Sequence, residues 1–389
     1  MTTDALSAEL SPSPIAVPDA ELDDLRDRLR RTRWPERETV EDWSQGVPLA
    51  YARELCATWL DDYDWRRVEA ELNSFQQLRF AGTGAGGEAL GIQVLFAPSS
   101  EPDAIPVVFT HGWPGSVVEF LDVIEPLRDP RRHGGDAADA FHVVCPTLPG
   151  YGFSDKPTHP GCGVEHIADI WARLMTALGY DRFGAQGGDW GSAVTTCLGR
   201  QHPNRVIGIH LNMVSVGPGK DPDELTVAEQ ASMDSMAHYQ QWDAGYSTQQ
   251  ATRPQTVGYG LVDSPAAQAA WIVEKFWSWC DHGGHPEDVI SRQRLLDNVM
   301  HYWLPAAGAS SARLYWQSFR RLGRDAEVTV PMGGSIFPKE VFRASRRWAE
   351  RRFTDIRHWN ELPVGGHFAA FEQPTTFVDE VRAAFRSMR

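Results

Sequence analysis

A carboxylate stands among glycines in the segment Gly187–Ser192, which reads GGDWGS, and this pattern could carry nucleophilic chemistry. The segment follows a short apolar run and opens a stretch of helical character that Pro203 ends. Glycines on both sides of a central residue suit a sharp strand-to-helix turn, where any side chain would collide with the neighbouring backbone. At the tip of such a turn, Asp189 could attack a saturated carbon and form a covalent ester. The plainer alternative is a tight turn whose acid complements the helix dipole.

An aspartyl ester must be hydrolysed, which requires a base that activates water, normally a histidine held by a second acid. For a nucleophile on a strand–turn–helix, the chain order is nucleophile, acid, histidine. Downstream of Asp189 the candidate acid is Glu340, in the sequence FPKE, and the candidate base is His367, in the sequence GGHF. His367 stands out among the 13 histidines because its Gly-rich loop follows a predicted strand, where α/β folds place their sites.

A second loop could stabilise the negative charge that forms when water attacks the ester. The sequence HGWPGS at residues 111–116 ends a predicted strand and precedes a helix. Such a loop can direct a backbone N–H at the site, and the N–H of the residue after the nucleophile can join it. The two candidate donors are therefore the backbone N–H groups of Trp113 and Trp190. The alternative is an ordinary strand-to-helix turn.

The elements that must position these residues alternate between strands and helices. Five strand-like apolar runs are separated by segments of helical spacing, at 92–97, 106–110, 141–145, 182–186 and 206–211. Residues 216–325 lack strand patterns, and strands resume at 328–332 and 356–360 before a closing helix. Strands that alternate with helices predict a mostly parallel sheet covered on both faces. We therefore expect an α/β fold of the α/β-hydrolase type with a helical lid insertion and an N-terminal helical meander.

Four parts of the chain follow from this pattern. We predict an N-terminal extension that wraps the core (1–80), a first part of the core (81–215), a helical lid (216–325) and a second part of the core (326–389). The first 12 or so residues are acidic and Pro-rich, and we expect them to be a disordered tail.

Composition excludes several classes of function. The 52 acidic and 37 basic residues among 389 give a net charge of −15, which disfavours nucleic acid and anionic membranes as partners. Five cysteines without CxxC spacing favour reduced thiols in a cytoplasmic protein and no metal site. Neither a signal peptide nor an apolar run of about 18 residues is evident. The glycine runs at 82–87 and 184–188 match no nucleotide-binding motif, so no cofactor is expected.

The complete set of motifs resembles the microsomal-type epoxide hydrolases over nearly the whole chain. The resemblance is carried by HGWPGS at 111–116, LPGYGFSDKP at 148–157, GGDWGS at 187–192, FPKE at 337–340 and GGHFAA at 365–370. It implies that an epoxide and water are converted to a vicinal diol through an ester on the aspartate, without a cofactor. A membrane anchor found in microsomal relatives is missing, so the chain resembles a soluble bacterial-type member.

The resemblance also implies two lid tyrosines that bind the epoxide oxygen. Tyr246, seven residues before Arg253 in a Thr-Arg-Pro motif, and Tyr315, in an Arg-Leu-Tyr segment, occupy the matching positions. Phenols can hydrogen-bond to a developing alkoxide or protonate it without a metal. Either tyrosine could instead be a core residue.

Several alternatives and details stay open at this point. A haloalkane dehalogenase would share the aspartyl ester but would need halide-binding N–H donors in place of phenols. A non-catalytic binding protein on the same fold is the other alternative. The lid is rich in tryptophan, most of it expected to be packing, although some could line a pocket for a bulky aromatic or secondary-metabolite epoxide. The N-terminal meander could mediate a homodimer.

Overall fold

One twisted sheet organises the part of the chain that the structure, a computed structural model, describes: residues 7–219, 224–321 and 327–389. Its strands are β1 (Leu10–Pro12), β2 (Gln76–Thr83), β3 (Ala89–Ala97), β4 (Ile105–Thr110), β5 (Phe141–Pro146), β6 (Phe183–Gly187), β7 (Val206–Leu211), β8 (Met332–Ile336) and β9 (Ile356–Glu361). Within the described residues these nine strands lie in the order β1-β2-β3-β5-β4-β6-β7-β8-β9.

The sheet is antiparallel at one edge and parallel elsewhere. β1, β2, β3 and β5 pair antiparallel, whereas β5, β4, β6, β7, β8 and β9 pair parallel. Val107, Val108 and Phe109 of β4 are fully buried, as expected for a central strand covered on both faces. The predicted α/β fold is confirmed.

Four helices of the core cover the parallel strands. They are α4 (Leu121–Arg128), α5 (Val164–Ala177), α6 (Asp189–Gln201) and α13 (Pro374–Arg386). α5 packs beside α6, and α4 packs beside α13. The apolar residues of α5 recur at helical spacing, with Ile167, Ile170, Trp171 and Leu174 all buried, so the helix buries one stripe against the sheet.

A helical segment lies between β7 and β8, as the sequence predicted. It contains α7 (Val227–His238), a π-helical turn (Tyr239–Asp243), α8 (Gly245–Thr252), α9 (Pro254–Asp263), α10 (Pro265–Trp279), α11 (Arg292–Trp303) and α12 (Gly308–Ser318). We call this segment the lid. Among the helices of the described residues, none combines the length and the apolar character of a membrane span. The five cysteines, all within the described residues, are buried thiols.

The N-terminal part of the chain differs from the prediction. Helices α1 (Asp19–Arg30), α2 (Leu49–Asp61) and α3 (Trp65–Asn73) are present. However, Leu10–Pro12, expected in a disordered tail, is strand β1 and pairs with β2, whose own pattern was missed. Residues 1–6 of the predicted tail lie outside the described residues. A strand of three residues is too short to show an alternating sequence pattern, so it could not be predicted. It forms only because the edge of β2 is available for backbone pairing.

The strand predicted at 328–332 is displaced toward the C-terminus. β8 runs from Met332 to Ile336, and Val328 forms only an isolated bridge with Phe353. Pro331 has no N–H to donate to a sheet, so the run 328–332 cannot pair as a central strand. The true strand, MGGSI, contains two glycines and therefore has a weak sequence signal.

Candidate active site

The turn between β6 and α6 holds Asp189 in a strained backbone conformation. Its φ is 47°, in the left-handed region that non-glycine residues avoid. A Cβ at Gly187 would overlap the carbonyl of Gly191, and a Cβ at Gly191 would overlap the carbonyl of Thr110. Glycine is therefore required on both sides of the turn. This is the sharp strand-to-helix bend that the segment GGDWGS predicted.

Two groups face the carboxylate of Asp189 from neighbouring loops. The backbone N–H of Trp113 donates a hydrogen bond to Oδ1 at 2.8 Å. Nε2 of His367 lies 3.5 Å from Oδ2. The two oxygens are therefore distinguished, since Oδ1 is held by a backbone donor and Oδ2 faces the imidazole. Trp190 follows in the first turn of α6, and its indole lies edge-on to Tyr315 with ring centroids 4.7 Å apart.

The loops after β8 and β9 bring Glu340 and His367 together. Gly365, with a φ of 110°, turns the chain ahead of His367, and its carbonyl accepts a hydrogen bond from the N–H of Lys339 at 3.1 Å. The N–H of His367 donates to the carbonyl of Trp279 at 3.0 Å. Nδ1 of His367 consequently lies 2.7 Å from Oε1 of Glu340. The acid and the histidine that the sequence paired are neighbours.

The charges around His367 decide its protonation. Burial by itself lowers the pKa of the imidazole, but the Glu340 carboxylate and a hydrogen bond to Asp189 outweigh it and hold the pKa well above its usual value. The free enzyme therefore stabilises an imidazolium between two carboxylates. Loss of either negative charge would lower the pKa of His367.

Two lid tyrosines cover the carboxylate. Tyr246 on α8 and Tyr315 on α12 are only 7% and 2% exposed, and their ring centroids are 5.7 Å apart. The ring of Tyr246 stacks on the indole of Trp113 at 4.7 Å and 9°. Burial raises the pKa of both phenols well above 10, so both keep their protons and can donate.

A single cavity of about 390 Å³ joins these groups. Asp189, His367, Tyr246 and Tyr315 all line it. The remaining wall is mainly apolar and includes Leu211, Met213, Val214, Met236, Phe319 and Phe342. A cavity of this size suits a small organic molecule. The structure therefore brings together the residues that the sequence predicted as nucleophile, base and phenol donors, and Trp113 lies beside them.

The tryptophans of the lid have different positions. Trp279 lines the cavity, and its ring packs against His367 with centroids 5.0 Å apart. Trp277 stacks on Trp43 of the N-terminal part at 5.3 Å, whereas Trp242 and Trp316 are 67% and 53% exposed. Packing accounts for Trp277, and Trp279 alone of these four contacts the cavity.

Sequence reasoning missed two lid residues beside the site. The hydroxyl of Tyr239 lies 3.2 Å from the hydroxyl of Tyr246, and Tyr239 lines the cavity. The ammonium of Lys275 lies 4.9 Å from the centroid of the Tyr246 ring. Tyr239 precedes Tyr246 by seven residues, a spacing that places both on one helical face. That spacing was a usable signal for Tyr239, and Lys275 had none.

Comparison with family models and known proteins gives one consistent result. The model described as epoxide hydrolase N terminus matches residues 10–120, and that of the alpha/beta hydrolase fold matches residues 105–251. A protein of Stigmatella aurantiaca (strain DW4/3-1), provisionally named an epoxide hydrolase, is 51% identical over 98% of this chain and 86% of its own. Epoxide hydrolase 1 of Oryctolagus cuniculus is 31% identical over 96% of this chain and 88% of its own.

Solved structures agree with these relatives. The Aspergillus niger epoxide hydrolase superposes with a TM-score of 0.88 at 30% identity, over 99% of this chain and 98% of its own. The juvenile hormone epoxide hydrolase of the silkworm Bombyx mori gives a TM-score of 0.89 at 26% identity, over 100% of this chain and 96% of its own. The shared fold extends across the core, the lid and the N-terminal part.

Proposed function

This chain belongs to the epoxide hydrolase family, and from that premise we propose that it opens an epoxide to a vicinal diol through an ester on Asp189. The observation that carries the proposal is the common cavity of Asp189, His367, Tyr246 and Tyr315. It combines a carboxylate nucleophile, a base and two buried phenol donors.

In the first half-reaction Asp189 attacks an epoxide carbon. Oδ2 is the attacking atom, because Oδ1 is held by the N–H of Trp113 at 2.8 Å and becomes the carbonyl oxygen of the ester. The phenols of Tyr246 and Tyr315 receive the epoxide oxygen as its bond to carbon breaks. Opening of the ring develops alkoxide charge, which a donor in a dry site stabilises strongly.

In the second half-reaction water attacks the ester carbonyl. The ester has lost the negative charge of Asp189, so the pKa of His367 falls, the imidazolium releases its proton, and the neutral imidazole can take a proton from water. Glu340 orients the ring through Nδ1 at 2.7 Å and stabilises the imidazolium that forms. The backbone N–H groups of Trp113 and Trp190 stabilise the oxyanion. Release of the diol restores the carboxylate.

The cavity indicates the class of substrate. Its volume of about 390 Å³ and its mainly apolar wall favour a lipophilic epoxide larger than a simple alkene oxide. Trp279, Phe319 and Phe342 offer ring surfaces to an aromatic substituent. A bulky aromatic epoxide, of detoxification or of secondary metabolism, fits these features. A homodimer and a cytoplasmic location stay predictions from the sequence.

A trapping experiment tests the mechanism. His367→Gln should form the ester but fail to hydrolyse it, so incubation with styrene oxide should add the mass of one styrene oxide to the protein. Peptide mass spectrometry should place the addition on the peptide that contains Asp189. The double variant His367→Gln with Asp189→Asn should carry no addition. A modification at another residue, or none in a folded His367→Gln protein that binds the epoxide, would contradict the proposal.

A further inference from the structure

A third phenol contacts one of the two oxygen-binding tyrosines. The hydroxyl of Tyr239, in the π-helical turn before α8, lies 3.2 Å from the hydroxyl of Tyr246. Tyr239 is 7% exposed and borders the cavity, and its ring rests on Phe342 with centroids 5.8 Å apart. The mechanism above gives this residue no role.

The surroundings of Tyr246 and Tyr315 differ in charge. The ammonium of Lys275 lies 4.9 Å from the centroid of the Tyr246 ring, and Lys275 is itself only 4% exposed. Its Nζ is held by the carbonyl of Asp243 at 3.2 Å and by Glu274 at 2.7 Å. A cation near a phenol ring favours the phenolate over the neutral form. Tyr315, by comparison, packs edge-on against the ring of Trp190.

We propose that Tyr246 transfers its proton to the epoxide oxygen while Tyr315 only hydrogen-bonds to that oxygen, and that Tyr239 is a positioning residue which donates to the Tyr246 oxygen. The inference rests on the proposed function. A phenol carries one hydrogen. When Tyr246 directs its hydrogen at the epoxide, the bond between the two hydroxyls can persist only if Tyr239 is the donor.

This direction of donation strengthens Tyr246 as an acid. A hydrogen bond accepted by the Tyr246 oxygen polarises its O–H bond and stabilises the phenolate that remains after transfer. Burial raises the pKa of Tyr239, so Tyr239 keeps the proton that it must donate. In the free enzyme burial, the Tyr239 phenol and the Asp189 charge all raise the pKa of Tyr246, so the hydrogen bond between the two phenols must reverse when Tyr246 turns its hydrogen to the epoxide. Ester formation then removes the Asp189 charge as the phenolate forms.

The protons balance over the complete cycle. In the first half-reaction a bond forms between Oδ2 of Asp189 and carbon, the carbon–oxygen bond of the epoxide breaks, and the proton of Tyr246 moves to the oxygen. The imidazolium of His367, whose pKa falls with the loss of the Asp189 charge, then returns a proton to the Tyr246 phenolate, directly or through solvent. In the second half-reaction neutral His367 takes a proton from water as hydroxide adds to the ester carbonyl, and the imidazolium gives that proton to the departing diol alcohol. The Asp189 carboxylic acid that remains passes its proton to His367, which restores the ion pair of the free enzyme.

A double-mutant cycle tests the coupling of Tyr239 to Tyr246. The ester-forming rate is measured in single turnovers with styrene oxide by stopped-flow tryptophan fluorescence. Tyr239→Phe, which removes only the hydroxyl, should slow ester formation about tenfold to hundredfold, the range for a hydrogen bond to a charged group. Its dissociation constant for the epoxide should change little, because the bond strengthens in the transition state.

The effect of Tyr239→Phe in two variant backgrounds separates a positioning role of Tyr239 from a merely structural one. Tyr239→Phe should have no further effect when Tyr246 is already Phe, but should keep its full effect when Tyr315 is already Phe. Tyr51→Phe is the matched control, since its hydroxyl bonds to Glu287 at 2.8 Å outside the site. That control should keep the wild-type rate.

The possible failures are distinguishable. Equal slowing by Tyr239→Phe on both backgrounds, or a wild-type rate in Tyr239→Phe, would overturn the assignment of Tyr239 and Tyr246 while the Asp189 ester still forms. An equal loss of ester formation in Tyr246→Phe and Tyr315→Phe, with no coupling of either to Tyr239, would also overturn it. Wild-type protein that forms no ester on Asp189 would instead contradict the proposed function itself.

Discussion

Nε2 of His367 lies 3.5 Å from Oδ2 of Asp189, so the proposed base and the proposed nucleophile form an ion pair in the free enzyme. Together with Glu340, this contact holds the pKa of His367 well above its usual value despite burial. An imidazolium cannot accept a proton from water, yet it leaves the carboxylate ionised for attack. Ester formation removes the charge of Asp189, so the first step lowers the pKa of His367 and produces the base that the second step needs.

The two half-reactions should therefore respond differently to pH. Ester hydrolysis requires neutral His367 and should slow as the pH falls through the pKa of the imidazole in the ester. That pKa should be lower than in the free enzyme, because Asp189 no longer contributes negative charge. Single-turnover measurement of both steps between about pH 5 and 9 checks this. Hydrolysis that accelerates as the pH falls would exclude His367 as the base.

Glu340→Gln should affect ester hydrolysis in two ways. Loss of the carboxylate 2.7 Å from Nδ1 removes a charge that raises the pKa of His367, so the acid limb of the hydrolysis profile should move to lower pH. The rate on the plateau should also fall, roughly a hundredfold, because the imidazolium formed in the transition state loses its partner. Ester formation should change less. An unchanged acid limb would show that Glu340 does not act on His367.

The sequence was informative where chemistry depends on local geometry. The glycines around Asp189 and the loop before His367 are required by turns whose residues are adjacent in the chain, so their pattern could be interpreted directly. Strands β3 to β7 were located for the same reason, because each contains a short, largely apolar run, and the more polar strand β9 was located as well.

The features that could not be predicted from the sequence depend on contacts between segments that are distant in the chain. Strand β1 forms only against β2, and Lys275 reaches the ring of Tyr246 because α10 packs beside the π-helical turn. The face of Tyr239 that meets Tyr246 could be inferred from spacing, but the hydrogen bond between them could not. Tertiary packing, which no local pattern encodes, decides these positions.

Gly112→Ala should abolish activity without unfolding the protein. A Cβ at Gly112 would overlap Cβ and Oδ1 of Asp189, so the nucleophile would have to leave the position held by the Trp113 N–H. Near-attack geometry is lost when such an atom moves by about 1 Å. The styrene oxide turnover assay checks the loss of activity, and circular dichroism checks that the protein stays folded.

Gly260→Ala is the matched control for that substitution. Gly260 lies within α9, and a Cβ there would meet nothing within 4 Å. Alanine is favoured over glycine in a helix by about 1 kcal/mol, so this variant should keep its activity and melt at the same or a slightly higher temperature. Equal losses of activity in both variants would mean that crowding of Asp189 is not the cause.

A buried carboxylate on the lid binds side chains of the core. The contribution of this carboxylate to the free energy of unfolding should depend on pH. Glu229 of α7 is 2% exposed and accepts hydrogen bonds from Arg347 and from Ser345 at 2.6 Å. Arg347, the largest cause, holds the pKa of Glu229 well below its usual value. A carboxyl whose pKa is lowered by folding stabilises the protein above its unfolded pKa, about 4.3, and loses that contribution as the pH falls.

Glu229→Gln should therefore lower the melting temperature at pH 7, because Arg347 loses its charged partner. The difference from wild type should shrink as the pH falls below about 4, where the carboxyl of the unfolded wild-type chain begins to take up its proton while the folded one is still ionised. Glu350→Gln is the control, since the ion pair of Glu350 with Arg346 is 53% exposed on both sides and should contribute under about 1 kcal/mol. A difference in melting temperature between Glu229→Gln and wild type that stays constant from pH 7 to pH 3 would give the opposite answer. That result would show that the carboxylate charge does not hold the lid to the core and that the substitution acts through packing.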